Sequence, residues 1–207
     1  MQTCENLGMK VIMTANTHAT GTDRVAEVAD KIPADWYINV QGDEPIIEPQ
    51  TIKSVLPTET EKSQIITVKT KISNPTEVLN FNVVKAITSE DDRAIFFTRT
   101  AAPFPKSGEN YAYYKHLGLY AFTRDALLFF KNTPQGAVEK IEEIELLRFI
   151  EHGWHITGNT GKNGGNVAAT IPSKLPTTTR KSRPPSHKSG IGNGTNQAKQ
   201  RLFQQIW

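Results

Sequence analysis

The 207-residue chain is 37% hydrophobic and 22% charged, the composition of a soluble globular protein with one sizeable core and length left for an appendage. Its single cysteine, Cys4, excludes an intrachain disulfide framework and suits a reducing compartment; with no basic-then-apolar leader and no run of about 18 apolar residues, the expected location is the cytoplasm, away from any membrane. The net charge of +3 averages two unlike parts: residues 156–207 carry eight Lys and Arg and no Asp or Glu, so residues 1–155 hold 16 basic and all 21 acidic side chains, and such asymmetry marks a boundary.

Along residues 1–155, strand-like and helix-like segments alternate. Residues 10–14 (KVIMT) read as a strand and 23–31 (DRVAEVADK) as a helix capped by Thr22. Residues 36–40 (WYINV) read as a strand, and 49–56 as a short helix with Pro49 near its start. Residues 64–72 alternate as a strand does; 83–88, 94–99 and 115–123 are further strands, with a proline-containing loop at 102–110. Residues 124–132 read as a helix. The longest helix is expected at 137–152, with Val138, Ile141, Ile144 and Leu147 on its apolar side and Glu142, Glu145 and Arg148 on the surface. Alternating strands and helices predict an α/β layered fold with a largely parallel sheet, made mixed by the denser strand region after Ile65. Residues 156–207 hold 7 of the 14 glycines and show no lasting period, so this basic tail is expected to be disordered.

Several motifs bear on function. In NVQGDEP, Gln41, Gly42 and Asp43 follow an apolar strand. In open α/β sheets ligands gather beyond the carboxyl ends of strands, and a carboxylate there suits Mg²⁺ holding phosphate oxygens; a plain Gly-Asp turn is the competing reading. HATGTDR offers backbone N–H groups at a helix start, which suits a nucleotide, or else is an ordinary capped helix. Arg99 ends a strand; His116 and Tyr120, four apart, share one face of another; Glu145 lies in the last helix. Together they suit an anionic, hydroxyl-rich ligand. Separately, Arg99 reads as a surface ion pair, His116 as a hydrogen-bonded sheet residue and Glu145 as part of a solvated helix face.

In order, HATGTDRVAEVA, INVQGDEP, FNVVKAI, IFFTRTAAPFP, YKHLGLYAFTRDAL and VEKIEEIELLRFIEHG resemble the CMP-Kdo synthetases, the 3-deoxy-manno-octulosonate cytidylyltransferase family, from Cys4 to His155. The resemblance implies a Rossmann-like nucleotidyltransferase fold with a mixed sheet over residues 1–155. It implies transfer of CMP from CTP to 3-deoxy-manno-octulosonate (Kdo), with Mg²⁺ as cofactor, for lipopolysaccharide synthesis. It makes Asp43 the metal ligand and, with Arg99, a catalytic residue. Gln41 would lie against the nucleotide, Thr20 and Gly21 near the cytosine, and Arg99, His116, Tyr120 and Glu145 around the sugar acid. Many members form homodimers. Leu146 stands where many have Gln, and related enzymes take an 8-amino form of Kdo.

Two departures shape the expectations. The family's opening glycine-containing loop, like PARYxSxRxPGKPL, has no counterpart here, and neither does the closing segment like VDTPEDL that supplies a second metal ligand. An inactive fragment, arising from a lost start and a frameshift near Trp154, is therefore a competing expectation, with weak or no CTP turnover. A tail binding nucleic acid is a third: eight positive charges would give only nonspecific, salt-sensitive contacts, so no specific nucleic-acid partner is expected.

Overall fold

The computed structural model describes residues 2–42 and 47–161 in full and residues 202–206 as backbone. After a one-turn helix α1 (Gln2–Asn6), the segment expected as a strand at 10–14 pairs with no strand among the described residues. Side chains of the next helix hold it instead: Arg24 Nη1 donates to Thr14 Oγ1 at 3.0 Å and to Ala15 O at 2.9 Å, and Ala15 N donates to Glu27 at 2.9 Å. That helix, α2 (Gly21–Lys31), starts two residues earlier than expected. Its cap is Thr20, not Thr22: the Thr20 hydroxyl accepts from Asp23 N at 3.2 Å, and the Asp23 carboxylate accepts from Thr20 N at 3.1 Å. This reciprocal box satisfies two donors that a helix start otherwise leaves free. Val25, Ala26, Val28 and Ala29 form its buried face.

Strand β1 (Trp36–Val40) follows, buried throughout. Then come α3 (Pro49–Lys53), β2 (Ile65–Lys71), α4 (Pro75–Leu79), β3 (Lys85–Thr88), β4 (Ala94–Thr98), the ten-residue β5 (Tyr114–Thr123) and α5 (Arg124–Asn132). Two short helices, α6 (Ala137–Glu142) and α7 (Leu147–Glu151), stand where one long helix was expected. Glu143, in the left-handed region at φ 53°, ends α6, and Ile141 is 82% exposed rather than inside. Arg148, expected on the surface, is buried and pairs with Glu139 at 2.6 Å, tying the two helices together.

β5 is the hub of the sheet. β2 runs antiparallel along one edge, slipping register between Thr67 and Val68. A strand has two edges, so β1 and β3 share the other: β1 pairs antiparallel with residues 119–123, and β3 touches it at Lys115, with His116 N donating to Val84 O at 2.9 Å. The sheet therefore forks along β5. β4 pairs antiparallel with β3. The expected parallel majority is not found: β5 runs against all three of its neighbours, and the five-residue turn between β3 and β4 permits only a hairpin. Parallel pairs occur where β6 (Thr157–Thr160) joins β2 and β7 (Leu202–Ile206) joins β1. Both of these strands lie past the charge boundary, in sequence expected to be disordered. Ile156 is buried, and Gly161 N still donates to Lys69 O at 3.0 Å, so the packed layer continues beyond His155. The remainder of the tail, residues 162–201, lies outside the described residues.

Strand alternation divides the core in two. Tyr37, Ile65, Tyr120 and Phe122 face α2, α5 and α7 with Val25, Leu127, Phe130 and Phe149. Ile38, Val40, Ile66, Val68, Leu119 and Ala121 face the opposite side with Val55. Asn39, next to Tyr37 in the alternation, points to the larger side.

Candidate active site

The fork in the sheet brings most of the sequence-predicted residues onto one face. Beyond β1, Gln41 N donates to Gly118 O at 3.0 Å, which lays the Gln41 side chain over Gly118. A Cβ on residue 118 would stand 2.7 Å from Gln41 Oε1 and 3.2 Å from Gln41 Cβ, so glycine leaves the room that the Gln41 side chain occupies.

His116 and Tyr120 share a face as their spacing predicts, with ring centroids 5.5 Å apart, and Phe97 of β4 lies 4.9 Å from the imidazole. Thr67 Oγ1 donates its one proton to Leu119 O at 3.0 Å, so at its 2.9 Å contact with His116 Nε2 it accepts. His116 therefore carries its hydrogen on Nε2 and leaves Nδ1 as an acceptor. Burial pushes its pKa down to about 4, so the ring is neutral at pH 7.

Arg99 leaves β4 two residues beyond Phe97. Its guanidinium donates from Nε to Glu142 O at 2.6 Å, from Nη1 to Phe81 O at 3.2 Å and from Nη2 to Glu143 O at 3.2 Å. It is not a surface ion pair; it stitches the break between α6 and α7. Among the described residues three of its five N–H groups are used, and two remain. Glu142 completes the lock by accepting from Thr98 Oγ1 at 2.7 Å and Arg99 N at 2.9 Å. Lys85, fully buried, donates to Asn80 O at 2.9 Å, Val83 O at 2.7 Å and Arg99 O. Burial and then the Arg99 charge push the Lys85 pKa down.

The break turns Glu145 inward. Its Oε1 accepts from Gly21 N at 3.2 Å, and its Oε2 accepts from Thr22 N at 3.1 Å and from the Thr22 hydroxyl. Thr22 is thus engaged here rather than as a cap. Burial raises the Glu145 pKa, opposed by these donors. Asn39, the register partner of Tyr120, also borders Gly21: a Cβ on Gly21 would lie 4.0 Å from both Asn39 Nδ2 and Glu145 Oε1. Two chains of contacts result: Phe97, His116, Tyr120 and its register partner Asn39 on one side, and Gly21 with Glu145 on the other, beside the break that Arg99 holds.

Gln41, Arg99, His116, Tyr120, Glu145 and Gly21 are therefore gathered. Thr20 is adjacent, but its hydroxyl serves the α2 cap. Asp43 lies outside the described residues, and among those described no three His, Cys, Asp or Glu converge to hold a metal ion. Two open depressions, of 650 and 290 Å³, are lined by other residues, at 103–111 and at 62–64 with 152–155. Sequence reading missed Asn39, Thr67 and Lys85. Asn39 and Lys85 carried a signal, each being a polar residue inside a short apolar run; Thr67 carried none, since threonine is ordinary in strands.

A family model described as cytidylyltransferase matches residues 1–156. The 3-deoxy-manno-octulosonate cytidylyltransferase of Fusobacterium nucleatum subsp. nucleatum is 39% identical over 154 residues, covering 73% of this chain and 63% of the relative. That of Solibacter usitatus is 41% identical over 155 residues, covering 73% and 62%. A solved CMP:2-keto-3-deoxy-manno-octonic acid synthetase complexed with CTP superposes with a TM-score of 0.73 at 35% identity, over 77% of this chain and 66% of that one. The inositol-1-phosphate CTP transferase from T. maritima, at 12% identity and a TM-score of 0.53, shares the fold. The chain thus spans just over three fifths of the first two relatives' length, at 63% and 62%.

Proposed function

The chain belongs to the cytidylyltransferase family, and on that premise we propose that it transfers the cytidylyl group of CTP to a sugar acid of the 3-deoxy-manno-octulosonate type. The observation that carries this reading is the His116–Tyr120 pair on one face of β5, with Arg99 held at the α6–α7 break and Glu145 turned to the start of α2. Acceptors, a cation and an aromatic face are the groups that an anionic polyol requires.

In the reaction, the anomeric hydroxyl oxygen of the sugar bonds to the α-phosphorus of CTP. The bond from that phosphorus to the bridging oxygen breaks, pyrophosphate leaves with the electron pair, and the hydroxyl proton passes to solvent. No group on the protein is covalently modified, so the rate enhancement comes from positioning and charge neutralisation. The two remaining Arg99 N–H groups suit the sugar carboxylate. Neutral His116 accepts a hydroxyl hydrogen at Nδ1; with a pKa of about 4 it orients rather than abstracts. Tyr120 offers a ring face for the sugar's apolar edge, and Glu145 accepts from hydroxyls while its other contacts keep it in place.

The donor chemistry fits Mg²⁺, a hard cation that takes one or two protein carboxylates and completes its shell with phosphate and water. Asp43, three residues past the carboxyl end of β1, would hold it. Bound there, the ion would neutralise triphosphate charge. We place the reaction in the cytoplasm, as a step toward lipopolysaccharide. No helix among the described residues is long and apolar enough to cross a membrane.

The test is pyrophosphate release by the full chain with CTP, Kdo and Mg²⁺, against Asp43→Asn. Release that depends on Kdo and falls at least a hundredfold in the variant, as loss of a charge-stabilising group does, supports the reading. Equal release by both proteins would remove Asp43 from it.

A further inference from the structure

We propose that Asn39 is a substrate-binding residue of this site, its side-chain amide reading a hydroxyl of the sugar acid between the start of α2 and Glu145. The proposal rests on the functional reading above and adds a residue to it.

Asn39 is 0% exposed, yet neither Oδ1 nor Nδ2 has a hydrogen-bond partner among the described residues. Both are orphans among polar side chains that are engaged: Thr67 with Leu119, Lys85 with three carbonyls, Glu145 with Gly21 and Thr22. An unmade hydrogen bond on a buried amide is destabilising, and leucine, of similar size, would avoid it. A cost of this kind, sitting in the middle of a strand that is otherwise apolar, is offset when a ligand supplies the partner.

Geometry says where that partner enters. Asn39 stands opposite Tyr120 in the β1–β5 register and close to the N-terminus of α2. Gly21, the first residue of that eleven-residue helix, carries no side chain there; a Cβ on it would stand 4.0 Å from Nδ2 and from Glu145 Oε1. The amide offers one donor face and one acceptor face, and Glu145 beside it offers only acceptors. A hydroxyl group, which donates once and accepts, can meet both faces of the amide, or accept from Nδ2 while donating to Glu145; a carboxylate or a phosphate oxygen, which only accepts, cannot. The polyol part of the sugar acid is therefore the chemistry that fits, not its carboxylate and not the triphosphate.

Two variants test this. Asn39→Leu removes both hydrogen-bonding faces and keeps the volume. Gly21→Ala places a methyl 4.0 Å from Asn39 Nδ2 and from Glu145 Oε1, ordinary contact distance, so the fold is kept while the space beside both groups narrows. Kdo is titrated calorimetrically into the full-length parent and each variant, with CMP present to fill the nucleotide side without turnover, and CMP affinity and thermal midpoint are recorded in parallel. The expected result is Kdo binding on the order of tenfold weaker in Asn39→Leu, the loss of two neutral hydrogen bonds. Gly21→Ala should weaken it too. CMP affinity stays unchanged in Asn39→Leu, which melts no lower than the parent. Kdo binding equal to the parent in Asn39→Leu would overturn the proposal while leaving the functional reading intact, and would assign the amide to packing or an internal water. A parent that binds CMP but no Kdo would overturn both.

Discussion

His116 shows how one residue couples packing to chemistry. Its neutrality comes from being enclosed by Thr67, Phe97 and Tyr120, and the direction of the shift sets a pH signature. The unfolded ring titrates near 6.5 and the folded ring near 4, so the unfolded state takes up the proton first as pH falls. The stabilising contribution is whole above pH 6.5 and is lost progressively down to about pH 4. His116→Gln keeps a hydrogen-bonding group without the titration. Its thermal midpoint, followed across that window, should fall less steeply with decreasing pH than the parent's. Parallel slopes would mean that the ring is already free to protonate when folded. At this scale the sequence was informative wherever spacing alone decided the matter, as for His116 and Tyr120 on one face of β5. It was silent on Arg99's partners, because backbone carbonyls from residues 81, 142 and 143 are brought to it only by the fold.

Among the elements, the pair α6 and α7 does most to shape the site, and it is the one the sequence misrepresented. The apolar period of residues 138–147 runs on through Glu143, a good helix former, so nothing local announces a break. The break is imposed from outside, by Arg99 drawing the Glu142 and Glu143 carbonyls and by the buried Arg148–Glu139 pair fixing both flanks. Arg148 also donates to Phe130 O at 2.9 Å and Thr133 O at 3.1 Å and lies over the Phe130 ring. Arg148→Met should therefore cost about 3–5 kcal/mol, because it leaves Glu139 buried and unpaired. Adding Glu139→Leu should recover part of that loss, since two apolar side chains leave no uncompensated charge. Urea unfolding of the two proteins measures both; a double variant less stable than the single would show that the pair contributes beyond mutual compensation. By contrast β1 and α5 begin and end where the sequence placed them, each bounded by strong local signals: an apolar run for β1, and for α5 the Thr123 cap, which accepts from Ala126 N at 3.3 Å.

For the whole molecule, the composition shift near residue 155 was legible but did not coincide with the end of the packed layer. Thr157–Thr160 contains a glycine and an asparagine and has no strand period of its own. It is a strand because β2 offers a free edge, and pairing with that edge outweighs weak propensity. The sheet's mixed order had the same origin: alternation of elements suggested parallel neighbours, whereas the central β5 runs against each strand it touches. The fork this creates is what gathers Gln41, His116, Tyr120 and Glu145 from segments more than a hundred residues apart in the chain. The central claim, that these residues serve cytidylyl transfer to a sugar acid, is tested most directly by phosphorus NMR of the full chain with CTP, Kdo and Mg²⁺. The account predicts a new phosphodiester signal of the CMP-sugar rising in equal amount with pyrophosphate, both absent without Kdo. CTP left intact, or cleaved with no sugar-linked product, would contradict it.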